Sequence, residues 1–362
     1  MGLGGRRRLP SVIPQDLWGG THRPPGRWGI MRWLGGKVNN MERTRALPVL
    51  LILLLPGCSL GLTSTNELRA ARALFGQFET VFYSKADLLS GFGGYKSLSK
   101  ADANYLRAPF AELLARVEAL GSAASREIVG NGEAVFAGAK DFSSPSGPSG
   151  LGAVQSRQCY VVVLSDRGAP DLRKLFAGPP VAEASGNPVW QWSAAPEEGH
   201  PKPYEFYMTE LPRSYVLISN TLEELQTLAA QLNSSGKDAP TFGDIRDWKL
   251  ISQHDYWGYR RYRHAEVVDR LAAGMTVVTD NALALSFVVD FGAKAGTLRL
   301  YASDGSTAEK INAATVGVEA PWPTLKASAA GAWETTIPLA GDQEDAEQML
   351  GVLGLFGFGL YL

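Results

Sequence analysis

Apolar and polar positions fall into two regimes along the chain. From Asn66 to Leu120 they recur at helical spacing. Leu68, Ala71, Leu74, Phe75, Phe78, Val81 and Phe82 predict a helix over 66–84. Tyr105, Leu106, Phe110, Leu113, Leu114 and Val117 predict a second over 99–120. Ser99 and Asp102 are its capping pair, and Pro109 is its kink. The Gly91-Phe-Gly-Gly94 stretch separates the two, which are expected to pack as an N-terminal helical hairpin.

Past residue 125 the pattern turns to strands. Ile128, Val129, Val135 and Phe136 flank Gly130-Asn131-Gly132, which reads as a tight turn between strands. Ser143 to Gly152 is rich in Ser, Pro and Gly and reads as a loop. Continuous apolar character over 158–165 predicts a strand buried on both faces. A short helix is expected over 169–176, then strands over 189–194, 204–211 and 214–219. Thr221 with Glu224 reads as a capping box opening a helix to Leu232. After a loop at 233–241, an extended run is expected over 248–262 and a helix over 264–273. A hairpin is expected over 283–291 and 296–303, and a helix over 306–314. A strand over 333–339 and a helix from Asp342 to about Leu353 end the pattern. The final Gly354–Leu362 run is too short to span a bilayer and reads as a core strand ahead of an exposed apolar patch. Strand, hairpin and helix thus recur near 204–232 and 283–314. The expected fold class is α+β: a helical region at 66–125, then two loosely similar halves, 126–235 and 236–362, of mostly antiparallel sheet with packed helices.

Residues 41–57 follow neither regime. Arg43 and Arg45 precede an apolar run from Leu47 to Leu55, and Gly57 precedes Cys58. Charge, apolar core and small residue form the pattern of a secretory signal. Leu55-Pro56-Gly57-Cys58 resembles the lipobox of bacterial lipoproteins, with a branched apolar residue three before the cysteine and a small one directly before it. Pro56 departs from the usual small or β-branched residue between them. The resemblance covers this signal alone. It implies cleavage before Cys58, a diacylglycerol on its thiol and a membrane-anchored protein of the cell envelope, facing the periplasm or exterior. Ser59 next to the cysteine is the residue that, in such lipoproteins, does not retain the chain at the inner membrane. Two or more acyl chains hold stably where one holds marginally, at about 0.8 kcal/mol per buried CH2. Met41 is then the expected start, with residues 1–40 a disordered or mistranslated upstream extension and 58–65 a tether. An uncleaved membrane helix over 46–65 is disfavoured by Pro48, Pro56, Gly57 and Gly61.

Cleavage changes the charge. Residues 1–40 hold seven bases and one acid, and residues 41–57 two bases and one acid. Removing them takes the whole-chain −1 to −8, so nucleic acid is not the expected partner. The expected partners are the membrane, through lipidated Cys58, and an envelope protein. Cys159 is left as the remaining cysteine, inside an apolar run, and reads as a buried small hydrophobe.

Candidate chemistry concentrates in Gln253–His264. His254, Asp255, Trp257, Arg260, Arg261 and His264 are the expected ligand-contact residues. In an extended chain Tyr256, Arg260, Tyr262 and His264 share one face, and Trp257, Tyr259, Arg261 and Arg263 the other. Arg over aromatic rings is also a plain structural device, and that reading leads here. His254, His264, Asp255 and Glu266 match no compact metal spacing. Ser252, His254 and Asp255 name triad types, but adjacency in sequence is no sign of a triad. Gly91–Ser97 lacks the Gly-Lys pair of a phosphate loop. The expectation is therefore no metal, no cofactor and a non-catalytic binding or scaffolding module. The alternative is a lipid-anchored hydrolase-like enzyme or ligand-binding protein using 254–264.

Overall fold

The computed structural model describes residues 64–90, 106–140, 157–165, 170–176, 178–194, 204–212, 215–234, 242, 245–262, 267–271, 275–278, 282–314, 324–329 and 331–339. Cys58, His264 and the expected elements at 342–362 lie outside them. Residues 57–362 form one compact unit.

The first helix, α1 (Thr65–Gln77), starts where its sequence says it should. Ser64 Oγ accepts from the Glu67 backbone N–H at 3.1 Å, and Glu67 Oε2 accepts from the Ser64 N–H at 3.1 Å. This reciprocal capping box satisfies two of the donors that a helix start leaves open. The helix stops at Phe78, which is extended, and does not continue to Ser84 as the spacing predicts. Thr80–Lys85 instead forms β1. Its β-branched and aromatic residues suit a strand flanked on both sides, and the helical spacing of Phe78, Val81 and Phe82 is coincidental.

α2 (Ala86–Ser90) follows directly. A 3-10 turn at Ala108–Phe110 holds Pro109 and leads into α3 (Ala111–Ala119), so the expected kink falls on the proline. α4 (Ser122–Ser125) runs into a π-helical turn at Arg126–Gly130. Ile128 and Val129 are therefore helical, not a strand before a tight turn. β2 (Gly132–Lys140) and β3 (Arg157–Leu164) come next, then α5 (Leu172–Leu175). β4 (Ala182–Ala184) and β5 (Asn187–Ala194) form a hairpin that the apolar pattern did not announce. Its two-residue turn is Ser185-Gly186, with φ of 52° and 77°, as a turn matching the twist of its strands requires. β6 (Tyr204–Leu211), β7 (Tyr215–Ser219) and α6 (Leu222–Asn233) follow the sequence expectation closely.

α7 (Trp248–Ile251) is helical where extended chain was expected, and β8 (Tyr256–Arg261) carries the rest of that stretch. The helix expected over 264–273 is not formed. β9 (Val267–Leu271) and β10 (Met275–Val278) pair there as a separate two-stranded ribbon. Val267, Val268, Thr276, Val277 and Val278 explain the outcome, since β-branched residues favour strands. β11 (Ala282–Asp290), β12 (Ala295–Ala302), α8 (Ser306–Ala314), β13 (Lys326–Ala327) and β14 (Trp333–Pro338) complete the described chain.

Twelve strands join in one sheet, in the order β13-β14-β12-β11-β8-β1-β2-β3-β7-β6-β5-β4. Every neighbouring pair in it is antiparallel. The fold is α+β with a large antiparallel sheet. Helices cover both faces. α1, α6 and α7 pack on one face with Leu74, Phe75, Leu225, Leu228 and Ile251. α2, α3, α5 and α8 pack on the other with Leu89, Leu113, Val117, Leu172 and Ala308. That is why β3 reads as unbroken Val and Leu rather than as an alternation. Cys159 in it is fully buried, and burial pushes its thiol up to about 12, as expected of a small core hydrophobe. The N-terminal helical hairpin is replaced by a different arrangement: β1 separates α1 from α3, whose apolar faces lie on opposite sides of the sheet. Among the described residues no helix is long and apolar enough to cross a membrane.

Candidate functional site

The stretch from His254 to Arg261 divides between the two faces of the sheet. Trp257 is fully buried on the α1 face. Its ring stacks on Phe75 at 5.9 Å and on Tyr83 at 5.3 Å between centroids. Arg261 reaches the end of α1, where its Nη2 donates to the Phe75 carbonyl and, at 3.3 Å, to the Phe78 carbonyl. A guanidinium on the last carbonyls of a helix satisfies orphan acceptors and complements the helix dipole. Arg260 is buried on the other face, 5.4 Å above the Tyr262 ring. The alternation read from the sequence is thus observed. It sends Trp257 and Arg261 one way and Arg260 the other, into packing and helix-end contacts.

His254 and Asp255 precede β8 and are half-buried. Burial lowers the His254 pKa, against a hydrogen bond to the Val289 backbone and the charge of Asp290. Burial raises the Asp255 pKa, against the pull of Lys85. The Asp255 carbonyl accepts from the Lys85 N–H at 3.0 Å, which extends the β1–β8 pairing past Ser84.

That last contact leads to an open depression on the described surface. It measures about 460 Å³ and is lined by Ser64, Lys85, Asp87, Gly132 and Glu133. Four elements build it. The N-cap of α1 supplies Ser64, the end of β1 supplies Lys85, and the start of β2 supplies Gly132 and Glu133. Asp87 stands in the first turn of α2. A Cβ at Gly132 would come within 3.1 Å of the Ala86 Cβ, the Val129 carbonyl and a Val162 methyl, so a side chain there crowds the floor.

Beneath the depression lies Glu67, 1% exposed. Lys85 Nζ meets Glu67 Oε1 at 2.9 Å, and the Tyr83 hydroxyl donates to the same oxygen at 3.2 Å. Burial, with the Glu67 charge beside it, pushes the Tyr83 phenol far above its ordinary value and keeps it a neutral donor. One cation thus sits between a buried carboxylate below and the exposed carboxylates of Asp87 and Glu133 at the rim. Such a mixed-sign depression suits recognition of a polar ligand or a polar loop. Among the described residues no group of three or more His, Cys, Asp or Glu side chains is arranged to hold a metal ion.

None of Lys85, Asp87, Glu133 or Glu67 is marked by sequence spacing as a site. Ser64-x-x-Glu67 is a visible capping box, but nothing local says that the glutamate is also the buried counter-ion of a lysine from the next strand.

No family model matches the chain, and no curated protein matches it either. Two solved structures of TP0453 resemble it loosely. Crystal form I is 9% identical over 80% of this chain and 97% of that one, with a TM-score of 0.40. Crystal form IV is 10% identical over 77% and 95%, with a TM-score of 0.34. Similarity at that level carries no argument for the activity of this chain.

Proposed function

We propose that the chain from Cys58 onward is a lipid-anchored, non-catalytic binding or scaffolding module of a bacterial cell envelope, facing the periplasm or exterior. The observation that carries the reading is the Met41–Cys58 segment, where two arginines, an apolar run and Leu55-Pro56-Gly57-Cys58 follow in the order a lipoprotein signal needs. The position of α1 supports it. Six residues lie between Cys58 and Thr65, a reach of about 20 Å when extended. A lipid on Cys58 would keep the end of α1 that carries Ser64, and the depression beside it, close to the bilayer surface. The same reading takes the module as two loosely similar α+β halves. The match read from the sequence, 204–232 with 283–314, does not carry it, because α6 and α8 lie on opposite faces of the sheet. Its support comes once β1, read from the sequence as part of the 66–125 helical region, joins the first half: β1 and β8 then each follow a helix on the same face and each pair with an antiparallel neighbour.

Mass spectrometry of the mature N-terminus tests the anchor. The expected result is a diacylglyceryl-modified peptide beginning at Cys58, with Cys58→Ala leaving the protein unprocessed and out of the lipid-labelled fraction. An unmodified Cys58 within an intact 41–65 peptide would overturn the reading.

A further inference from the structure

The cross-strand registers carry the two-half reading further. On one side of the β1–β8 pair the sheet continues β2-β3-β7-β6, and on the other β11-β12-β14-β13. Both runs are antiparallel throughout. β1 and β8 pair about Phe82 opposite Gly258. An axis through that point, normal to the sheet, exchanges Val81 with Trp257, Tyr83 with Tyr259 and Lys85 with Arg261. Carried outward through the registers, it exchanges Ala134 with Ala284, Ala137 with Phe287, Tyr160 with Leu298 and Val216 with Trp333.

The helices obey the same operation. α1 before β1 and α7 before β8 lie on one face. α5 after β3 and α8 after β12 lie on the other. Two exchanged pairs at the seam keep their aromatic and basic types but do unlike work, because both members of each meet α1 and not α1 and its image α7. Tyr83 and Lys85 bind Glu67 near the start of α1, while Arg261 binds carbonyls at its end and the Tyr259 ring packs edge-on against Phe75.

We infer that the β1–β8 seam is an interface between two copies of one five-strand unit, fused in a single chain, with the seam side chains made unlike so that the copies pair with each other in one order. One row of side chains crosses the seam on the α3 face: Tyr160, Ala137, Phe82, Gly258, Phe287 and Leu298. Large and small alternate at its centre. Two identical units would set Phe82 against a second phenylalanine, with directly opposed Cβ atoms about 5 Å apart. Glycine at 258 and phenylalanine at 287 relieve that crowding, and Ala137 mirrors the relief on the other side.

The inference rests on the two-half reading and is independent of the lipid anchor, so its test is a stability measurement on the full chain. Phe82→Gly with Gly258→Phe sets the introduced ring beside Phe287 and opens a gap next to Ala137, where the native ring is lost. Adding Ala137→Phe and Phe287→Ala carries the four central positions of the row onto their own image under the axis. The double exchange is expected to lower the urea midpoint strongly or to prevent folding. The fourfold exchange is expected to regain more than half of that loss. A fourfold variant no more stable than the double overturns the inference. As a second measurement, a protease site placed within 235–241 and cleaved should leave the two fragments eluting together as one particle. Separation at micromolar concentration also overturns it.

Discussion

The two ends of α1 each bury one glutamate, and they are built differently. At its start Glu67 belongs to the helix itself and accepts from Lys85, Tyr83 and the Ser64 N–H. At its end the acid comes from elsewhere. Glu224 of α6, 3% exposed, meets Lys140 at 2.8 Å and Arg157 at 3.2 Å, and Gln77 donates to its carboxylate. Burial alone would raise the Glu224 pKa. Hydrogen bonds from Lys140, Gln77 and Arg157 outweigh it and hold the carboxyl below its usual range. The Glu224 cluster ties four elements together: α1, β2, β3 and α6. The Glu67 cluster lies under an open depression, and its lysine also lines that depression. Charge at a closed junction serves the fold. Charge shared with an open surface is free to meet a ligand as well.

The same contrast explains a failed expectation. Thr221 and Glu224 have the spacing of a capping box, yet the Thr221 side chain makes no cap hydrogen bond. Glu224 is held by Lys140, Arg157 and Gln77 instead. Two cationic donors, with charge on both partners, outweigh one backbone N–H, where only the carboxylate is charged.

Mutations can break this comparison. The largest effect is expected from Lys85→Met, which leaves the Glu67 carboxylate buried without its ammonium contact. Breaking a buried pair from one side costs about 3 kcal/mol, read as a shift of the urea midpoint at pH 7. A loss below about 1 kcal/mol would show that the two ends do not differ in this way. Gly138→Ala comes next. Its Cβ would fall 2.7 Å from the Phe78 ring, where α1 ends against β2, and overpacking there is expected to cost about 2 kcal/mol. Lys140→Met is expected to cost only about 1 kcal/mol, since Arg157 and Gln77 still hold Glu224. The ranking of Lys85 above Lys140 is the sharpest form of the comparison.

Acid sharpens it further. The Glu224 pKa is lower folded than unfolded, so its contribution is present above its unfolded value and is lost as pH falls through the folded one. Stability lost between about pH 5 and pH 3 should therefore shrink in Glu224→Gln. An unchanged acid limb in that variant would count against the cluster as its source. Asp255 has the opposite sign. Its pKa is raised by burial, so its charged form opposes folding at neutral pH. Asp255→Asn is expected to stabilise slightly at pH 7, by no more than about 0.5 kcal/mol, with the gain gone below about pH 3. Matched melts at the two pH values check the sign, and destabilisation at pH 7 would contradict it.

Much of the local structure was legible. Tyr204–Leu211 and Ser306–Ala314 lie where the pattern puts them, and the 282–302 hairpin differs by a residue at its ends. Failures gather where one spacing serves two structures. Phe78, Val81 and Phe82 fit a helical face, yet β1 has neighbours on both sides and is buried on both faces. Once both faces are covered, a strand loses its alternation, and spacing alone no longer distinguishes it from a buried helix. The site was less legible than the fold. Trp257, Arg260 and Arg261 drew attention as a dense cluster of aromatic and basic residues, and the sheet takes them into packing and a helix cap. Lys85, Asp87 and Glu133 are unremarkable in sequence and become a group because β1 and β2 pair.

The sequence by itself determined the acidic balance beyond residue 57, most strands and the helices at 222–233 and 306–314, because each rests on composition or on residues close in the chain. Only the tertiary structure decided that β1 joins β8, that α1 and α3 lie on opposite faces, and that Glu67 and Glu224 become buried counter-ions. Those outcomes depend on which distant strands share hydrogen bonds, and no local spacing records that choice.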